Sequence, residues 1–339
     1  MLKKIDGFIV GLLCMIALAY FYPGIGDQNS TLPLETITSV GISMIFFFYG
    51  LKLSPQSMKK GLSNFRLHML VQITTFILFP LLIISLRPLV KTEETHLLWL
   101  AIFFMAALPS TVSSSVVMVS IAKGNIPGAI FNASISGLIG IIITPLWMGL
   151  FMHTQEADFD FMASVISLVL KILCPVLLGL ALNKYLGNTV RRYGKYISLF
   201  DKSIILIIVY NSFSKSFAAH LFNDIKLSYL ILTVVIIIGL FCIIYGIVFA
   251  ITLKLKFSKE DQITALFCGS KKSLVHGSVM ADVLFKNMAS QGIFIIPIMI
   301  YHSMQLITIS FIAQRLGLKA EVNQARAKPT RHEGENKVH

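Results

Sequence analysis

Apolar residues in this chain come in long unbroken blocks, without the 3.6- or two-residue alternation of half-buried elements. Ten blocks recur from end to end, at roughly 5–22, 36–53, 67–86, 97–121, 126–152, 161–183, 197–214, 228–253, 262–285 and 290–314. Each is about 17 to 27 residues long, enough to cross a hydrocarbon core of about 30 Å. Leu, Ile, Val and Phe fill them without the alternating polar positions of a barrel strand. The backbone must therefore satisfy its hydrogen bonds internally, as helix. The pattern predicts an all-α polytopic membrane protein with ten transmembrane helices. The first block follows Lys3-Lys4 and contains Ala17-Leu18-Ala19, a mimic of a signal-peptide cleavage site. It is read as a span, because the polytopic remainder needs a first helix to set its orientation.

Two blocks are interrupted. The fourth contains PSTVSSS, Pro109 to Ser115, and the ninth contains FCGSKKSLVHG, Phe267 to Gly277. Cutting the ninth at Lys271-Lys272 leaves pieces of about nine and thirteen residues, each too short to span alone. A single discontinuous helix fits better than a loop, with a re-entrant hairpin as the alternative. A lysine near the bilayer centre costs roughly 2.5–3.5 kcal/mol on insertion scales, so two in a row need partners or a watery cavity. Neighbours on a helix differ by about 100° in direction, so at most one of the two points at a given site.

The acidic segment His153 to Asp160 divides the ten blocks into five and five. An odd number per half inverts the second half, as in many transporters. Inverted five-helix repeats are expected at about 1–152 and 161–317, forming one membrane transporter domain. When the two interrupted spans are aligned, Ser110 faces Ser270 and Ser113 faces Ser273. The polar, basic segment 318–339 is expected to be a disordered cytoplasmic tail.

Composition agrees: of 339 residues, 55% are hydrophobic and 13% charged, with a mean hydropathy of +0.78. The net charge of +13 resembles a nucleic-acid signal until the basic residues are located. Lys52, Lys59, Lys60, Arg66, Lys123, Lys184, Arg191, Arg192, Lys254 and Lys256 fall on one side with both termini, whereas Arg87, Lys91, Lys215, Lys226 and Lys286 fall on the other. The positive-inside rule then puts both termini in the cytoplasm. Lys184 to Asp201 is expected as the longest cytoplasmic connection. Short loops suit a bacterial inner membrane, with lipid as a partner and neither nucleic acid nor a protein partner indicated. Cys14, Cys174, Cys242 and Cys268 are spaced for neither a disulfide framework nor a metal site.

Candidate chemistry gathers at the breaks. Ser113, Ser114 and Ser115 follow a proline, and hydroxyls with freed carbonyls are ligands for a hard cation such as Na⁺. Any one of these serines could equally serve close helix packing. Asn132, Ser134 and Ser136 lie in the fifth block and Gln72 in the third. His302 and Gln305 share a helix face. His276, His302 and Asp282 would be the acid and base groups of an intramembrane enzyme, a reading unsupported by any metal or nucleophile motif.

These residues resemble the sodium/bile acid symporter family, in the branch related to its seventh human member. The resemblance covers nearly all of the first 317 residues and is most specific in ALPSTVSSSVVMVSIAKGN (Ala107 to Asn125), Thr144-Pro145 and FCGSKKSL (Phe267 to Leu274). It implies ten helices in inverted repeats, core and panel domains, broken helices four and nine that cross, and solute bound between the domains. It also implies Na⁺ symport, with Na⁺ as the one ion and no cofactor. In the better-studied branch the fourth-helix stretch ends in Ser-Asn; here Ser113 to Ser115 stand instead. The third-helix glutamine matches Gln72. The ninth-helix glutamate is absent, and Lys271-Lys272-Ser273 replace a Gln-Asn-Ser run.

The expected cation or lysine-surrogate site is therefore Gln72, Ser113, Ser114, Ser115, Ser270, Lys271, Lys272 and Ser273. The expected substrate site is Asn132, Ser134, Lys271, His276, His302 and Gln305, for a small organic anion moved by alternating access. Na⁺-independent or proton-coupled transport, or a transport-inactive regulatory protein, are the alternatives.

Overall fold

A computed structural model describes residues 7–26, 33–53, 64–111, 113–152, 166–218, 220, 227–286 and 288–327. Among the described residues the chain is helical and contains no strand. The helices are α1 (Gly7–Phe21), α2 (Leu34–Lys52), α3 (Phe65–Leu89), α4 (Glu93–Ala107), α5 (Ser113–Ile121) and α6 (Ile126–Met152). After the acidic segment 153–160, which lies outside the described residues, follow α7 (Ile166–Arg192), α8 (Gly194–Ala218) and α9 (Leu227–Lys254). The last are α10 (Lys259–Gly269), α11 (Leu274–Leu284) and α12 (Gln291–Ala327).

Seven of these, α2, α3, α6, α7, α8, α9 and α12, are long and apolar enough to cross a membrane. The other three blocks expected as spans fall on α1, whose apolar part is Val10–Phe21, and on the pairs α4–α5 and α10–α11. Both pairs break where the sequence carries its polar interruptions.

Local chemistry sets many helix ends. Asn64, Thr92, Ser258 and Ser273 each accept a backbone N–H at the start of α3, α4, α10 and α11 and so satisfy one of the orphan donors. At one end of the bundle, Asp261 accepts from Asn64 Nδ2 at 2.6 Å and from Asn125 Nδ2 at 2.7 Å, tying α3, the α5–α6 turn and α10 together.

Two expectations are corrected. Lys184 to Asp201 is not an open connection: α7 runs to Arg192 and α8 resumes at Gly194, with only Tyr193 between them. Disorder does not begin at Leu318 either, because α12 continues to Ala327 through LKAEVNQARA, a run rich in strong helix formers. Residues 328–339 lie outside the described part.

By packing, the helices form two groups. The first contains α1, α2, α7 and α8, and the second contains α3 to α6 and α9 to α12; the main contacts between them run from α8 to α11 and α12. Within the first group α2 and α7 approach through glycines. A Cβ on Gly179 would collide with the Phe47 carbonyl, and one on Gly50 with the Val176 carbonyl, the small-residue contact by which membrane helices pack closely. Gly179→Leu should therefore destabilise the protein by about 1–3 kcal/mol through overpacking, read as a lower melting temperature in detergent. Gly239→Leu, at a glycine with open space around it, should leave the melting temperature unchanged.

Candidate functional site

Breaking a helix inside a membrane exposes carbonyls that no water can reach, and each needs a donor. The two broken pairs supply donors to one another. Ser273 N–H donates to Pro109 O at 3.0 Å, and Ser110 Oγ donates to Cys268 O at 2.6 Å. Ser115 Oγ lies 3.5 Å from Phe267 O. Neighbouring helices complete the set: Thr144 Oγ1 donates to Ala107 O at 2.8 Å, and Tyr301 Oη to Ser270 O at 2.6 Å. Gln305 accepts Lys272 N–H at 2.8 Å and returns a hydrogen bond to Lys272 O at 2.7 Å.

At the centre of this crossing lies Lys272, with no solvent exposure. Its Nζ donates to Thr75 O at 2.8 Å, Ala106 O at 2.6 Å and Leu108 O at 2.8 Å. Three acceptors call for three N–H groups, which an ammonium has; a neutral amine would turn a lone pair on one carbonyl. The end of α4 also presents the negative pole of its dipole. The Phe79 ring lies 4.1 Å from Nζ, a cation–π contact.

Thr75 is free to accept because of Pro80. In the π turn Thr74–Leu78, Phe79 N–H bonds to Thr74 O, and Pro80 has no N–H to offer. Thr75 O and Phe76 O are thereby left without backbone donors. Lys272 takes the first, and Trp147 Nε1 takes the second at 2.8 Å.

Lys271 diverges from its neighbour. It is equally buried, and its Nζ donates to Ser114 O at 2.9 Å, the one acceptor it has among the described residues. Ion pairs among the described residues are Lys52–Asp201, Lys215–Glu35 and Lys286–Glu35, so neither central lysine faces a carboxylate. Thr111 Oγ1 lies 2.8 Å from both Ser114 Oγ and Ser115 Oγ, closing the start of α5.

The remaining predicted residues separate into three sets. Gln72 does not join the lysines: its Nε2 reaches Asn132 O at 3.3 Å and Asn132 Oδ1 at 3.2 Å. Its Oε1 is buried without a hydrogen-bond partner among the described residues. Gln72 also borders an apolar cavity of about 380 Å³ between α3 and α6, lined by Ile77, Leu146 and Trp147 among others. His276 and Ser134 meet at Tyr49, whose hydroxyl donates to Ser134 O at 2.8 Å and whose ring stands edge-on to His276 at 5.7 Å. His276 Nδ1 lies 3.0 Å from Ser273 Oγ. His302 and Gln305 pair at 3.1 Å beside Lys272. Ser270 Oγ turns back onto Leu266 O. The Ser113 side chain lies outside the described residues. Asp282 accepts from Gln291, apart from the partners of either histidine.

Sequence reasoning missed Thr75, Tyr49 and Tyr301, and singled out Thr144 only within the Thr144-Pro145 resemblance. Pro80 inside an apolar block was the available signal for Thr75. The other three act through contacts between helices distant in sequence.

Known proteins align along nearly the whole chain. An uncharacterized protein of Pseudomonas aeruginosa is 37% identical over 315 residues, 91% of this chain and 92% of its own length. YfeH of Escherichia coli K12, named as a candidate symporter, is 33% identical over 324 residues, 96% of each chain. Sodium/bile acid cotransporter 7 of Xenopus tropicalis is 28% identical over 305 residues, 89% of each. A family model described as SBF-like CPA transporter family matches residues 6–317, and the chain belongs to that family.

Proposed function

We propose that this protein carries a small organic anion across the membrane by alternating access, with the Lys272 ammonium serving as a built-in cation. The carrying observation is the cage of three carbonyls around Lys272 Nζ at the crossing of the broken helices. Carbonyl oxygens in that arrangement are what a hard cation would require, and here the ammonium occupies them. Na⁺ entering beside it would meet like-charge repulsion. Lys271 and Lys272 together give the crossing positive charge without a carboxylate counterpart, which favours an anionic solute. The breaks fall in the fourth expected span of each half, which supports inverted repeats, and the two packed helix groups match core and panel domains moving against one another. Membership of a transporter family sets aside the enzyme reading of His276, His302 and Asp282.

A second reading, Na⁺ symport, is favoured by the names of the sodium/bile acid cotransporter relatives and by the buried, unpartnered Oε1 of Gln72.

Thermal stabilisation in detergent by taurocholate, steroid sulfates and short-chain carboxylates distinguishes the two. At least one anion should raise the melting temperature, by the same amount in sodium chloride as in choline chloride. Stabilisation that requires sodium would overturn the built-in cation and favour symport.

Removing the ammonium gives an independent check. Lys272→Ala should lose about 3–5 kcal/mol, as when one partner of a buried charged contact is deleted, and should melt far below the parent in choline chloride. Sodium should restore part of the loss by filling the vacated carbonyls, whereas the parent should melt alike in both salts. A Lys272→Ala protein as stable as the parent would contradict the proposed role.

A further inference from the structure

Polar bonds that cross between the two helix groups gather toward one end of the molecule. Where α2 begins, Glu35 pairs with Lys215 of its own group at 2.9 Å and with Lys286 of the other at 3.3 Å. Nearby, Ser216 Oγ of α8 donates to Ala289 O at 2.6 Å and accepts Gly292 N–H at 3.0 Å. This approach requires glycine, since a Cβ on Gly292 would lie 2.8 Å from Ser216 Oγ. Toward the opposite end, among the described residues, one polar bond crosses, from Tyr49 Oη of α2 to Ser134 O of α6 at 2.8 Å; the end itself is tied within each group. Lys52–Asp201 and Asn183–Leu51 belong to the first, and Asp261 with Asn64 and Asn125 to the second.

Behind the closed end, buried polar atoms lack partners among the described residues. They are Asn211 Oδ1, Ser212 Oγ and Ser214 Oγ on α8, Ser278 Oγ on α11, and Gln291 Oε1 on α12. These three helices pack against one another. Interiors that stay closed pair nearly all such groups, and a surface wetted in another state would leave such a concentration on these three helices. The seam also reaches the candidate site. His276, whose Nε2 is likewise unpartnered among the described residues, precedes Asp282 by about 9 Å of axial rise along α11, and Asp282 holds Gln291 at 3.3 Å.

We propose that the seam between α8 and α11–α12 is one half of the solute path, shut in this structure by the Glu35–Lys286 pair and the Ser216 clasp. The proposal rests on the transport reading above, but its test needs no solute.

The four native cysteines are replaced by alanine and Ser278→Cys is introduced as the single thiol. The protein is reconstituted in liposomes and labelled from both sides with a sulfonated, membrane-impermeant maleimide. Labelling should be slow. Lys286→Glu, which sets like charges against Glu35, should speed it about fivefold, equivalent to ~1 kcal/mol for a pair as exposed as this one. Adding Ser216→Cys and Gly292→Cys should allow a disulfide, because a Cβ on Gly292 would lie 3.2 Å from Ser216 Cβ, near the usual spacing of about 3.5–4.5 Å. Oxidation, which consumes both added thiols, should then bring labelling below that of the protein carrying Ser278→Cys alone, to background.

A labelling rate unchanged by Lys286→Glu, or a rate in the oxidised variant equal to that of Ser278→Cys alone, overturns the proposal. If the double cysteine variant does not fold, the Lys286→Glu rate decides alone. Failure of every anion to bind, with this labelling pattern intact, removes the transport reading and leaves the seam standing.

Discussion

The structure depends on one requirement, that carbonyls freed inside a membrane must be given donors. Two interrupted helices meet at the centre of this protein, and a single ammonium satisfies Thr75 O, Ala106 O and Leu108 O. Other contacts at the crossing follow the same need. Ser110, Thr144, Tyr301 and Gln305 each answer a carbonyl that an intact helix would have bonded internally. The π turn of α3 belongs to the same scheme, since Pro80 withholds a donor and thereby creates an acceptor for Lys272. A local defect in one helix becomes the docking point for a side chain almost two hundred residues away.

The two lysines divide the work. Lys272 is fully engaged and fixes α3, α4 and the α10–α11 break to one another. Lys271 holds one carbonyl on α5 and keeps uncommitted donors. A fixed charge beside a less committed one suits a site that must remain assembled while its occupant changes. The surrounding architecture has a similar contrast. The second helix group is knitted through its breaks and through Asp261, whereas it meets the first mainly along α8.

The sequence made the helices and breaks legible for simple reasons. A bilayer sets a minimum apolar length, and two lysines cannot sit in a span without a polar environment, so the interruption at Gly269 to Ser273 followed from length and charge, and that at Pro109 to Ser115 from a proline beside clustered hydroxyls. The same reasoning misjudged 184–201 and 318–327, because charged residues mark a membrane boundary but do not end a helix. Lys and Arg extend helices well beyond the bilayer surface. Gln72 was grouped with the lysines through its resemblance to the family's third-helix glutamine, yet its amide turns to Asn132.

By itself, then, the sequence determined the helical class, the breaks and the residues gathered near them, because these depend on local hydrophobicity and chain length. Tertiary structure alone decided which lysine is caged, which carbonyls receive it, and that Tyr49 and Tyr301 complete the surroundings. Those outcomes depend on side chains meeting across helices far apart in the chain, and a spacing rule along one helix carries no information about them.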